Sequence, residues 1–327
     1  MSIQSEIDRI KGNVASAYSA VEEMGGNLPE VQNSANLAAA VSTIPVGAGW
    51  SNPNLLDNWY LVNPVNQRAQ EVYEEIGYTV DRWRSTRGKV KLTEDGLLVT
   101  ADDLSQQRSL LQYLENRDLI GKTVTLSVLT SEEFVSGTGV FPAETGGAVN
   151  MAFGKDISLL IRHMSNGYPL VDIWVNANKS AVIKAVKLEL GTQQTLARQD
   201  ADGNWVLNDP PPDQALELVK CQRYQVVISP KSNYNNFTVA LAFLSTSAYF
   251  FLPFKMRVNP TIAGDFTAEN IALRDNAGAS APVKAIYASG DGQAGINLNV
   301  VTDDVLTPGK AYIFKLYNTP LILDANI

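Results

Sequence analysis

Apolar residues recur at alternating steps of four and three along the start of the chain: Ile3, Ile7, Ile10, Val14, Ala17, Val21, Met24, Leu28 and Val31. A period near 3.5 residues is the seam of a left-handed coiled coil. β-Branched residues occupy both core rows, Ile7, Val14 and Val21 in one and Ile3 and Ile10 in the other, a choice that favours three strands over two. Ile3, Ile7, Ile10, Val14 and Val21 are therefore the predicted seam of a homotrimer. Gly25, Gly26 and Pro29 stop the helix near Met24, leaving about three heptads, a length that is marginal for an isolated helix. It needs partners, either further copies of the chain or, as the same amphipathic pattern also allows, the protein's own globular part. A second short helix is predicted over 31–42, with Leu37 and Val41 four apart among alanines. The stretch Pro45-Val-Gly-Ala-Gly49 then reads as a linker, so 1–49 forms a helical N-terminal segment.

After Trp50 the period changes to two. Thr123–Val128 alternates polar and apolar residues, and Gly96–Thr100, Ile157–Met164, Leu170–Ala177 and Val182–Leu190 also read as strands between Gly, Asn or Pro clusters. Leu104–Glu115 fits neither pattern cleanly and could hold a turn of helix. Short strands at this spacing predict a two-sheet sandwich or jelly roll over 50–195. The segment 196–212 reads as a linker, with a turn at Ala201-Asp-Gly-Asn204 and a stiff Pro210-Pro-Pro212. Asp213 is placed to cap a helix running to about Tyr224, with Leu216, Val219 and Cys221 or Arg223 around it. Beyond it Gln225–Ser229, Thr238–Leu244, Ala248–Val258, Val283–Ala288, Ile296–Val301 and Ala311–Leu316 predict a second β-rich domain over 213–327. The expected fold is mainly β: a short N-terminal trimeric coiled-coil helix, a central β-sandwich and a C-terminal sandwich-like domain.

Composition narrows the function. The 327 residues are 45% apolar and 18% charged, as in a folded chain, and carry a net charge of −8. Phosphate neutralisation needs a basic stripe, and none is present, so no nucleic-acid partner is expected. No apolar run approaches the length of a membrane span, so no membrane insertion is expected. The N-terminus shows no basic region followed by an apolar one, which suggests synthesis in a cytoplasm and exit by a route other than standard secretion. The lone Cys221 cannot form an internal disulfide and reads as a small buried residue. The single histidine, His163, lies in a predicted strand interior, which speaks against a His-rich zinc site or a Ser–His or Cys–His pair.

Two segments far apart in the chain, Asn54–Arg68 and Val186–Thr195, bracket the central region. Together with Tyr78-Thr-Val-Asp-Arg-Trp83, Ala201-Asp-Gly-Asn-Trp205 and Ala215–Tyr224, they resemble the recurrent central block of tail-fibre or tail-tip proteins from bacteriophages and prophages. The stretch Leu28–Ile44 is similar to the short helical leader of phage tail proteins. The resemblance covers about half the chain and is similar in its central fold to jelly-roll carbohydrate-binding modules. It implies a non-enzymatic virion protein, made in the host bacterial cytoplasm and carried on the tail. Such a protein attaches through its N-terminus to other tail or baseplate proteins and binds a bacterial surface glycan or protein with its C-terminal tip. It also implies that no cofactor is needed, except that Asp57 and Glu189, near the meeting ends of the first and last strands, are placed where such modules often hold a structural calcium.

Period-two alternation in Leu170-Val-Asp-Ile-Trp-Val-Asn176 puts Val171, Ile173 and Val175 on a core face and Asp172, Trp174 and Asn176 on the other. Arg162 joins the outer face if Leu159 and Ile161 point inward. An indole flanked by a carboxylate and an amide can stack on a pyranose ring and hydrogen-bond its hydroxyls. Trp174, Asp172, Asn176 and Arg162 are thus the glycan-site candidates, although sandwich domains also bury aromatics of this kind in their cores. Trp59, Tyr60 and Trp83 belong to the shared frame and read as core or clasp. The tip-loop candidates are Tyr234, Asn235, Asn236 and Asp291, in polar, loop-like stretches. Tyr249-Phe-Phe-Leu-Pro-Phe254 is apolar on both strand faces, which predicts a core or a contact between subunits. A purely structural connector is the alternative function. A glycan depolymerase would need paired carboxylates, and no spacing singles out a pair.

Overall fold

The computed structural model describes residues 3–23, 27–42, 51–86, 89–101, 107–230, 236–267, 269–289, 295–303 and 305–327. The chain divides into two units, Met1–Asn52 with Thr195–Pro210, and Pro53–Gln194 with Pro211–Ile327.

In the first unit the 3.5-residue pattern forms helix α1 (Ile3–Glu23), followed by α2 (Ser34–Ser42). Asn33 caps α2, its side-chain oxygen accepting the Asn36 amide at 3.0 Å. The predicted trimer seam is only partly free. Val21 is buried with Tyr18 and Ala40, and Val14, Leu28 and Leu37 pack around them. The Tyr18 hydroxyl donates to the Asn33 carbonyl at 2.7 Å. The alanines of α2 let the helices approach, so the C-terminal half of the seam is satisfied within the chain. Ile7 and Ile10 stay 41% and 50% exposed. The side chain of Ile3 lies outside the described residues.

The central region builds two six-stranded antiparallel sheets. One runs in the order β1 (Val72–Tyr73), β4 (Lys89–Thr93), β5 (Gly96–Ala101), β12 (Lys179–Leu190), β7 (Thr123–Thr130) and β8 (Phe134–Val140). The other runs β2 (Gly77–Tyr78), β3 (Arg84–Ser85), β6 (Arg108–Tyr113), β11 (Pro169–Val175), β10 (Ile157–His163) and β9 (Ala148–Phe153). Val124, Leu126 and Val128 of β7 and Val171, Ile173 and Val175 of β11 are fully buried, as period two requires. Within the stretch that fitted neither pattern, Arg108–Tyr113 is the strand β6, and residues 104–106 lie outside the described residues. At one edge the sheets come so close that a methyl on Gly137 of β8 would lie 2.2 Å from the Met151 carbonyl oxygen of β9, so only glycine fits.

The two bracketing segments meet. The Asn54 amide donates to the Val186 carbonyl at 2.9 Å while its oxygen accepts the Leu188 amide at 3.1 Å. Leu55 donates to the Leu188 carbonyl at 2.9 Å, and Val186 to the Trp59 carbonyl at 3.0 Å. The entry segment is thereby laced along β12. Back in the first unit, β13 (Ala197–Gln199) and β14 (Trp205–Leu207) form a hairpin whose turn contains Gly203 at φ +83°.

Asp213 caps α3 (Gln214–Gln222), accepting the amides of Ala215 and Leu216. The buried side of α3 carries Glu217 and Cys221, the latter as its sequence reading expects, whereas Leu216 and Val219 are 64% and 65% exposed. The reason is polar. The Glu217 carboxylate accepts the Asn58 amide at 2.7 Å and pairs with Lys220, so the helix docks by a satisfied charge rather than by its apolar residues.

After α3 come a three-stranded sheet, β15 (Gln225–Ile228), β24 (Leu321–Asp324) and β18 (Thr261–Ala263), and a seven-stranded one. The latter runs β20 (Ser280–Pro282), β19 (Ile271–Arg274), β23 (Ala311–Leu316), β16 (Asn236–Leu244), β17 (Ser247–Leu252), β22 (Ile296–Val301) and β21 (Ala285–Ser289). Phe250, Leu252, Leu298, Phe314 and Leu323 are among the core residues here.

The two β-rich parts of this unit are knitted together around α3. Arg223 donates to Glu115 at 3.0 and 2.7 Å, and the Tyr224 hydroxyl donates to it at 3.0 Å. Gln67 donates to the Gln225 carbonyl at 2.8 Å, and the Tyr78 hydroxyl to the Ile327 carbonyl at 3.1 Å. The hydrogen bonds from Arg223, and less strongly that from Tyr224, hold the Glu115 carboxyl below its ordinary range against the opposing effect of partial burial. A lowered value in the folded state means stabilisation that is present above the ordinary carboxylate range and lost as pH falls through the lowered value. The gap in urea midpoint between the natural chain and Glu115→Gln should therefore shrink from about pH 7 to about pH 3; a gap independent of pH would contradict this.

Candidate functional site

Three of the four glycan-site candidates come together on the outer face of the β3–β6–β11–β10 sheet. Antiparallel register sets Ser158 of β10 and Ser109 of β6 opposite Trp174, and Leu160 and Leu111 opposite Asp172. Arg162 and Tyr113 flank Leu170 in the same way, and Arg84 of β3 lies across from Leu111. Every side chain in this set shares one face because each is separated from the next by an even step.

At its centre Asp172 is only 3% exposed. Its carboxylate accepts the Ser109 hydroxyl at 2.6 Å and the Trp174 indole N–H at 2.8 Å. Arg162 Nε lies 3.0 Å from the same carboxylate, near enough for an ion pair but without the alignment of a hydrogen bond. The Arg162 guanidinium also stands 5.1 Å from the Trp174 ring centroid, within cation–π range. Burial pushes the Asp172 carboxyl above its usual range, and the bonds from Ser109 and Trp174 and the Arg162 charge oppose it. Asp172 thus acts as a fixing post that holds an indole and a guanidinium in set orientations.

Around this post is a cleft of about 640 Å³, within the usual span of small-ligand sites. Arg84, Thr86, Gln107 and Ser109 give it a polar side, Leu111, Tyr113, Met164 and Leu170 an apolar side, and Trp174 stands in its wall. Among the described residues, Arg84 pairs with no carboxylate. At the apolar end Leu111, Tyr113 and Leu170 are buried with Met164, Tyr168 and Ile327 packed on them, so the C-terminal residues close that side. Planar aromatic surface, hydroxyl and amide groups and two guanidinium groups can together stack a sugar ring and bond its hydroxyls or a carboxylate.

Asn176 does not line this cleft. It lies just beyond β11, where its side-chain oxygen accepts the Ser158 hydroxyl at 3.0 Å and its backbone amide donates to the Asp156 carbonyl. Ser158 lies opposite Trp174 on that face, so alternation carries as far as Asn176, although it stands outside the cleft lining. Ser109, Tyr113 and Arg84 were missed because they lie on β6 and on the two-residue strand β3. The signal for β6 was present, since Ser109, Leu111 and Tyr113 alternate with Leu110 and Gln112.

The calcium candidates have other work. Asp57 pairs with Arg82 at 3.1 Å, and Glu189 is fully buried in β12 opposite Thr125. Among the described residues no group of three or more His, Cys, Asp or Glu could hold a metal ion. Of the tip-loop candidates, Tyr234, Asn235 and Asp291 lie outside the described residues. Asn236 is exposed at the start of β16 and lines a shallow recess of about 410 Å³ with Arg274, Asp275 and Lys315. His163 is buried, its Nδ1 within 3.1 Å of the Pro142 and Ala143 carbonyl oxygens. Cys221 is buried too, and burial pushes its thiol up, away from the reactive thiolate.

Trp83 is fully buried, its indole N–H donating to the Asn58 carbonyl at 2.8 Å, and Trp59 is 7% exposed. Neither tryptophan offers a face to a ligand. Compared with known proteins, the chain finds no match among protein-family models and none among curated sequences.

Proposed function

We propose that this chain is a non-enzymatic, receptor-binding tail-fibre protein of a phage or phage-tail-like particle. It is made in the host bacterial cytoplasm and carried on the tail. In this reading the two six-stranded sheets are a jelly roll of the carbohydrate-binding kind, and the N-terminal helix joins other tail or baseplate proteins. Copies assemble as a homotrimer in which the exposed Ile7 and Ile10 take part. The C-terminal β-rich region is the tip. The ligand is a bacterial surface glycan.

One observation carries the reading: an indole locked by a buried carboxylate in the wall of a cleft whose other groups are hydroxyl, amide and guanidinium. Weak sites repeated in an oligomer gain avidity by orders of magnitude without new contacts. The connector alternative draws support from the apolar outer face of the C-terminal sheet, where exposed Phe251 and Tyr287 suit protein contact.

Trp174→Ala should lower binding to susceptible cells by roughly 30-fold or more, as loss of an aromatic anchor does, while the urea midpoint moves by less than about 1 kcal/mol equivalent. Binding of cells or cell-wall glycans by both proteins alike would remove the cleft from the function. Binding of another virion protein, with no binding to any susceptible strain, would establish the connector instead.

A further inference from the structure

The seven-stranded sheet breaks the rule that an exposed sheet face is polar. Its inner face carries Ala240, Ala242, Phe250 and Leu252 into the core. Its outer face should then alternate to polar residues. Instead Val239, Leu241 and Phe243 of β16 are 60%, 41% and 45% exposed, Tyr249 and Phe251 of β17 are 43% and 51%, and Tyr287 of β21 is 60%. Register makes them one surface. Leu241 lies opposite Tyr249, Tyr249 opposite Asn299, and Asn299 opposite Tyr287. The rings of Phe243 and Tyr249 already touch, with centroids 5.7 Å apart.

We propose that this face is a contact between copies of the chain. The inference is independent of the glycan cleft and goes beyond the helical seam. Two features select a second copy as the occupant. The first is area. At about 200 Å² for an aromatic side chain, these six residues present roughly 500–600 Å² of apolar surface, most of the ~800 Å² that one partner contributes to a stable interface. The second is charge. A chain carrying −8 repels its own copies, and no charged residue belongs to this set or to the Asn297 and Asn299 positions between its strands. Arg274 and Lys315 lie away at the β19–β23 end of the sheet.

The test is solution mass by sedimentation on the full chain and two sets of variants. The natural chain should sediment as an oligomer of its 35.5 kDa protomer at micromolar concentration. Phe251→Glu with Tyr287→Glu should raise the dissociation constant by about 30-fold or more, with the far-ultraviolet circular dichroism unchanged. If that pair fails to fold, Val239→Thr with Tyr287→Thr keeps strand propensity and should weaken association in the same direction. A monomeric natural chain would overturn the inference and the proposed trimer together. An oligomer unaffected by the sheet variants but dispersed by Ile7→Glu with Ile10→Glu would overturn the inference alone and leave the helical seam standing.

Discussion

Replacing Trp83 by alanine is expected to destabilise the unit formed by Pro53–Gln194 and Pro211–Ile327 by about 4 kcal/mol. The side chain is fully buried, so its removal combines lost transfer energy with a cavity that the surrounding sheets cannot close. It also strands the Asn58 carbonyl, which accepts the indole N–H at 2.8 Å. The backbone of the same residue is bonded on both sides: its amide donates to Val80 and its carbonyl accepts from the Thr79 amide and hydroxyl. Trp83→Phe keeps most of the volume but not the hydrogen bond, and should lose about 1–3 kcal/mol. Urea unfolding with an unchanged slope measures both. A loss under about 1 kcal/mol for the alanine variant would show that the tryptophan is not the clasp its burial indicates. Cell binding per folded molecule should not change, the reverse of what is expected for Trp174.

That contrast shows where the sequence was legible. Trp83 and Trp174 have the same side chain. Strand alternation turned Trp174 outward between Ile173 and Val175, whereas Trp83 read as core or clasp from the shared motif to which it belongs. The same rule placed Asp172 and Arg162 correctly, since both sit inside regular strands. It carried as far as Asn176, which bonds Ser158 on the same face but stands outside the cleft lining, and said nothing of Arg84, whose strand is two residues long. Helix α1 followed from its spacing. That its seam would turn toward α2 did not, because a 3.5-residue stripe specifies that a partner is needed and not which one. Tyr18, outside the stripe as read, became the centre of that packing. On α3 Leu216 and Val219 are exposed while a carboxylate, Glu217, is buried, because it finds a backbone amide 159 positions away in sequence. Such a long-range polar pairing leaves no local trace. The outer face of the seven-stranded sheet is the converse case: Tyr249–Phe254 already read as apolar on both sides, and the fold shows which side the chain leaves open.

The second large effect is expected at Arg82, and its sign depends on the backbone as well as the side chain. Arg82 adopts φ +70°, a region in which a residue with a Cβ is strained. The guanidinium accounts for the choice. Nε donates to Asp57 at 3.1 Å, Nη2 donates to the Tyr113 carbonyl at 2.7 Å, and the plane stacks 3.4 Å from the Tyr224 ring centroid. One side chain thereby joins the entry loop, the end of β6 and Tyr224, two residues past the end of α3. Arg82→Ala should lose about 3 kcal/mol, toward the lower end for a broken buried pair, because Asp57 keeps 25% of its side chain in solvent. Arg82→Gly removes the same contacts but relieves the left-handed strain, and should be less damaging by about 1 kcal/mol. Arg82→Lys keeps the charge and loses the planar fork, so it should fall between the natural chain and the alanine variant. A double-mutant cycle of Arg82→Ala with Tyr224→Leu isolates the stacking, expected at roughly 1–2 kcal/mol for a desolvated cation–π pair. Equal losses for alanine and glycine would show that the left-handed backbone is held without strain. A coupling near zero would mean that Arg82 acts within the central β-rich part alone, through its hydrogen bonds to Asp57 and Tyr113.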